Sequence, residues 1–63
     1  MAALDELPEK QREVFLLNEI EELTLQQIAD QRGENIKTII SRKGYAVKHL
    51  RERLQGMYQE LAT

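Results

Sequence analysis

Residues 24–43, Thr24-Leu25-Gln26-Gln27-Ile28-Ala29-Asp30-Gln31-Arg32-Gly33-Glu34-Asn35-Ile36-Lys37-Thr38-Ile39-Ile40-Ser41-Arg42-Lys43, decide the fold. Thr24 and Gln27 stand at the spacing of a capping box, in which the hydroxyl bonds an orphan amide and the glutamine reaches back to the cap, so a helix is expected to start here. It carries Ile28 and Ala29 and is expected to end at about Arg32, because Gly33 enters the left-handed conformation without a Cβ penalty. Asn35 is a good cap for a second helix beginning at Ile36. A short helix, a glycine turn and a longer basic helix make a helix-turn-helix, the unit that lays its second helix in the DNA major groove. Within it Ala29 permits close approach of the two helices and Ile39 packs the second onto the first. The alternative is a plain three-helix bundle with a glycine in one turn.

Working outward, the second helix has no proline after Ile36, and apolar residues at 36, 39, 40, 46, 47, 50 and 54 keep a helical period to about Leu54. Upstream, Pro8 suits the first turn of another helix, where its missing N–H costs nothing, and Glu9 sits at the positive end of the dipole. That helix is expected over Pro8 to about Ile20. Val14, Phe15, Leu17 and Ile20, with Leu16 between them, form a broad apolar stripe opposite Lys10, Arg12 and Glu13. The stripe is core, or core plus a groove in which Val14, Leu17 and Ile20 meet a partner. Strand signals are nearly missing. The expected class is all-α: a small three- to four-helix domain containing a helix-turn-helix with a long C-terminal helix. It spans residues 1–63 as a single domain, with a core over 7–54 and a loosely attached tail over 55–63.

A chain of 63 residues, 41% apolar and without Trp, holds one modest core and no second domain. With no Cys and one His it has neither a disulfide framework nor the ligands of a usual Cys/His zinc site. No metal or other cofactor is called for. His49 has no triad or paired carboxylates around it and is assigned no chemistry; the chain reads as no enzyme. No apolar run approaches the length of a membrane span, and the opening residues lack the regions of a signal peptide, so a cytoplasmic protein without a membrane partner is expected.

The net charge of −2 hides a polarised distribution. Residues 1–31 hold eight acids against two bases, and residues 32–63 hold seven bases against three acids, so the halves stand at −6 and +4. A basic stripe suits a polyanion and an acidic face a different partner. On the long helix, spacing sets Lys37, Thr38, Ser41, Arg42, Tyr45 and Lys48 away from the Ile39/Ala46/Leu50 stripe, and these six are the candidate DNA contacts. A guanidinium at Arg42 can read guanine O6 and N7 in bidentate fashion or bind phosphate, whereas Lys37 and Lys48 suit phosphate. Tyr45 suits a thymine methyl or a phosphate. The competing reading is a set of solvated charges, with Arg51 or Arg53 paired to Glu22 or Glu52.

LPEKQREVFLLNEIEELTLQQIAD and KTIISRKGYAVKHLRERL, within residues 7–54, resemble region 4 of bacterial RNA polymerase sigma factors, especially the extracytoplasmic-function group. The matches are Leu7, Pro8, Gln11, Arg12, Val14 and Phe15, then Ile28, Ala29 and Gly33, then Thr38, Ile39, Ser41, Arg42, Ala46, Leu50 and Arg51. The resemblance implies sequence-specific DNA binding in transcription initiation: the last helix recognises a minus-35-like element of duplex promoter DNA, with Thr38, Ser41 and Arg42 at DNA-facing positions. It also implies docking on the β flap of the RNA polymerase core. The rival is a sigma-like interaction module that binds an anti-sigma factor or polymerase and scarcely touches DNA. Without the region that melts a promoter, the chain is expected to be an excised domain or a stand-alone regulator.

The pattern departs from the family at several positions. Arg32, Glu34 and Lys43 stand where the family usually has apolar residues, so other interactions must compensate. Ile40 and Val47 stand where it commonly has basic ones, which widens the apolar stripe. Gly44, inside a helix, suggests close approach of another backbone. Leu50, Leu54, Met57 and Leu61 have the spacing of a short coiled-coil seam, which suggests a weak homodimer or, with Gly56 weakening the coil, folding back onto the first helix.

Overall fold

The computed structural model describes the backbone of residues 2–62 and the side chains of residues 2–56. Four helices follow one another: α1 Ala2–Asp5, α2 Glu9–Glu19, α3 Leu25–Arg32 and α4 Ile36–Ala62. Among the described residues there is no strand. Pro8 takes the cap position of α2, with extended backbone at φ −53° and ψ 145°, one residue earlier than the first-turn site its sequence context suggests. Glu9 follows as the first helical residue, where its charge favours the positive end of the dipole.

The two turns that shape the domain solve the same problem with different residues. Between α2 and α3 the chain reverses at Glu22, which takes the left-handed conformation at φ 60°. An L residue pays about 1–2 kcal/mol for that conformation. The surroundings impose it: the Leu23 N–H donates to Leu17 O at 3.0 Å and Asn18 Nδ2 donates to Leu23 O at 2.8 Å. Between α3 and α4 the reversal falls on Gly33 at φ 64°, as its sequence position predicts. Here the Gly33 and Glu34 N–H groups donate back to Asp30 O and Ala29 O, satisfying the carbonyls that the helix end leaves open.

The caps also form. Thr24 Oγ1 accepts from Gln27 N at 3.0 Å while Thr24 N donates to Gln27 Oε1 at 2.8 Å, a complete capping box. Asn35 Oδ1 accepts from Lys37 N at 2.7 Å and so closes the start of α4.

The core lies in two clusters along α4. The first joins Val14 of α2, Ile28 and Ala29 of α3 and Ile39 of α4, with Leu17, Leu23, Leu25 and Ile36 around it. The second joins Ala3 of α1 and Leu7 to Ala46 and Leu50 of α4, with Leu4 and Phe15 against it. α1 has no counterpart among the helices expected from sequence, and it closes the second cluster. No polar or charged residue is buried among the described residues.

α4 runs past the end expected near Leu54 and reaches Ala62, so residues 55–62 continue the helix instead of folding back onto α2. No proline interrupts this stretch, and the cost of Gly56, about 1 kcal/mol, is small enough for the neighbouring helix formers to carry. Of the expected seam, Leu50 is buried and Leu54 exposed; the side chains of Met57 and Leu61 lie outside the described residues.

Candidate nucleic-acid interface

α4 presents a core face and an open face. Ile39, Ala46 and Leu50 turn into the core. On the opposite side Lys37, Thr38, Ser41, Gly44, Tyr45 and Lys48 are exposed, with Tyr45 61% accessible. Five of the six residues singled out in sequence as DNA contacts are therefore brought together on one open surface, beginning one turn after Gly33. Arg42, the sixth, is held differently.

The Arg42 side chain is only 19% accessible, and its Nη1 lies 2.8 Å from Glu34 Oε1 and 2.7 Å from Glu34 Oε2. The guanidinium hydrogen bond holds the Glu34 carboxyl below the usual carboxylate range; partial burial opposes this, and the charges of Arg42, Lys10 and Arg32 reinforce it. Arg42 thus enters the surface already paired.

The three positions that depart from the family's apolar pattern form three ion pairs between elements. Arg32 Nη1 of α3 meets Glu13 Oε2 of α2 at 2.8 Å. Glu34 of the turn meets Arg42 of α4. Lys43 Nζ of α4 meets Glu19 Oε1 of α2 at 2.7 Å, also donates to Asn18 Oδ1, and stands 5.5 Å from the centre of the Phe15 ring. The Arg32–Glu13 and Lys43–Glu19 pairs are each worth at most about 1 kcal/mol at such exposure. The cation over Phe15 adds a contribution of similar order. Together they compensate, in part, for the apolar contacts these positions forgo.

A further charged group ties α4 to the chain just after α1. Glu6 Oε2 lies 3.2 Å from Arg53 Nε, and Glu6 Oε1 lies 3.6 Å from His49 Nε2. Arg53 therefore pairs with Glu6, and not with Glu22 or Glu52, the partners offered by the competing reading of solvated charges. At 3.6 Å the His49 contact is too long for a hydrogen bond, and that nitrogen has no partner.

The residues expected to meet a protein partner separate. Val14 is 2% accessible and belongs to the core, because its position in α2 points it between α3 and α4; it offers nothing to a partner. Leu17 is half-buried against the same cluster, and Ile20, at the end of α2, is 68% exposed. The open apolar surface lies elsewhere, in a groove of about 420 Å³ lined by Leu4, Phe15, Val47, Leu50, Leu54 and Arg51. Val47 thus lines this groove, while Ile40 remains 51% exposed. The groove escapes sequence reading because it forms only where Leu4 of α1 and Phe15 of α2 meet the flank of α4. Its sequence signal lies on α4 alone, in the seam spacing of Leu50 and Leu54 and in Val47 seven residues before Leu54. Gly44 meets nothing within 4 Å of where a Cβ would stand, so among the described residues none makes the close approach its presence suggested.

A capped helix, a left-handed glycine and a long helix with an exposed polar face define a helix-turn-helix domain of the DNA-binding class. The family model described as Sigma-70, region 4 matches residues 1–50, and the chain belongs to that family. Its role is DNA binding in transcription initiation. Comparison with curated proteins and with solved structures returned no match. Among the described residues no helix is long and apolar enough to cross a membrane.

Proposed function

We propose that this domain recognises a minus-35-like promoter element through the exposed face of α4 and docks on RNA polymerase, without catalysing a reaction. The observation that carries this reading is the grouping of Lys37, Thr38, Ser41, Tyr45 and Lys48 on one side of the helix that follows the Gly33 turn. Lys37 and Lys48 supply charge for phosphates; Thr38, Ser41 and Tyr45 supply hydroxyl donors and an apolar ring for base edges. The setting is the cytoplasm, where promoter DNA and polymerase occur.

Titration of fluorescent duplexes across a salt series tests it. Wild-type affinity is expected to fall steeply with salt, and Lys37→Ala with Lys48→Ala is expected to lower the slope of log K against log salt by about 2. Equal binding by wild type and the double variant, or a flat salt response, removes α4 from DNA.

The protein-docking half of the reading is supported by the apolar groove between α1, α2 and α4, with Ile20 as a separate exposed contact. A polymerase flap segment is the proposed occupant, and an anti-sigma factor is the rival. An interface of this kind responds weakly to salt, so the same series separates the two surfaces. The exposed Leu54 leaves a weak homodimer as the lesser alternative, read by sedimentation at several concentrations.

A further inference from the structure

We propose that Glu34 is an internal competitor for DNA: it occupies the Arg42 guanidinium in the free protein and restrains the affinity of α4 for duplex phosphates. This inference rests on the DNA-binding reading of α4 and adds a residue that limits it.

Three observations support it. Arg42 is the only one of the six candidate contacts that is not exposed, and what covers its charge is the Glu34 carboxylate, with both oxygens within hydrogen-bond distance of one nitrogen. Glu34 sits in the short turn between Gly33 and Asn35, whose backbone is fixed by the Glu34 N–H to Ala29 O bond and by the Asn35 cap, so its carboxylate is presented to Arg42 from a fixed position. The carboxylate also lies within the fields of Lys10 and Arg32 and close to the amino end of α4, a setting that attracts any anion. It takes the place a backbone phosphate would take, since carboxylate and phosphate oxygens satisfy a guanidinium in the same way.

When DNA arrives, Arg42 must exchange one anion for another. The exchange nearly cancels its contribution to binding, and the displaced carboxylate is left beside the polyanion. Lys37 and Lys48 have no such partner among the described contacts and contribute in full.

Glu34→Gln tests this in the full chain with a random-sequence duplex as probe, because phosphate contacts need no particular site. The variant keeps an acceptor toward Arg42 but not the charge. It is expected to bind about three- to tenfold more tightly and to steepen the salt slope by about 0.9. In an Arg42→Ala background the same substitution is expected to give much less. A second measurement follows the Glu34 carboxyl carbon by NMR: free, it titrates below the usual carboxylate range; with duplex bound, it titrates at or above that range. Unchanged or weaker binding by Glu34→Gln overturns the proposal, as does a gain of the same size without Arg42, which makes Glu34 a distant charge only. If neither wild type nor Glu34→Gln binds duplex, the DNA reading of α4 itself fails and the proposal with it. Circular dichroism and melting of each variant exclude misfolding as the cause.

Discussion

α4 is one helix with two differently made seats. Around Ile39 it is gripped by α2 and α3, with Val14, Ile28 and Ala29 closing over a side chain that has no accessible surface. Around Leu50 it rests on Ala3 and Leu7, and one wall of that seat is the open groove. The first seat orients the candidate DNA face through two capped helices and a glycine turn. The second depends on a four-residue helix that has no stability of its own, since nucleation costs more than so few hydrogen bonds return. The first seat encloses its central side chain, and the second stays open along the groove.

Core truncation gives the largest expected contrast between the seats. Ile39→Ala leaves an enclosed cavity and is expected to cost about 3–5 kcal/mol, enough to unfold most of a domain this small. Leu50→Ala is expected to cost nearer 2 kcal/mol, because the space it leaves opens into the groove and needs no enclosed void. Urea unfolding monitored by circular dichroism measures both, and equal losses would erase the distinction.

The turn comes next. Gly33→Ala forces an L residue to φ 64° and is expected to cost about 1–2 kcal/mol, though a Cβ meets nothing within 4 Å there. The loss reflects backbone conformation alone, so Gly33→Asn, which tolerates the left-handed region, is expected to recover part of it. Thermal melting of the three proteins gives the order.

Gly44→Ala works in the opposite direction. Its site is helical, exposed and open, so alanine is expected to stabilise the fold by up to about 1 kcal/mol. Higher stability with weaker duplex binding would mean that DNA comes close to the helix backbone at this point; higher stability with unchanged binding leaves Gly44 without a role in the interface.

The smallest effect belongs to the Glu34–Arg42 pair and is read through pH. Its folded carboxyl titrates below the ordinary value of 4.5, so the stabilisation is present above that pH and disappears as pH falls through the lower folded value. The stability difference between wild type and Glu34→Gln is therefore expected to hold at neutral pH and to vanish in acid. A difference that persists into acid would assign it to packing of the side chain and not to its charge.

Much of the first seat was legible before any coordinates. Thr24, Gln27, Gly33 and Asn35 act through hydrogen bonds and backbone preferences that reach only a few residues, and the core period of Ile39, Ala46 and Leu50 follows from helix geometry. The five open residues of the DNA face follow from the same geometry. The Glu22 turn was not marked, because glutamate carries no preference for the left-handed region and is placed there by bonds from Asn18 and Leu23. The state of Arg42 was also hidden. Its distance from Glu34 depends on how α4 leaves the turn, which no pattern of residue types specifies.

The amino-acid sequence alone therefore determined the all-helical class, the position of the reversal at Gly33 and the side of α4 that faces outward, since these rest on local bonding and periodicity. Only the tertiary structure decided that Val14 is interior, that Arg32, Glu34 and Lys43 find opposite charges in other elements, and that α1 completes a groove with α2 and α4. Those outcomes depend on the three-dimensional approach of residues far apart in the chain, where small differences in helix direction select the partner of each charge.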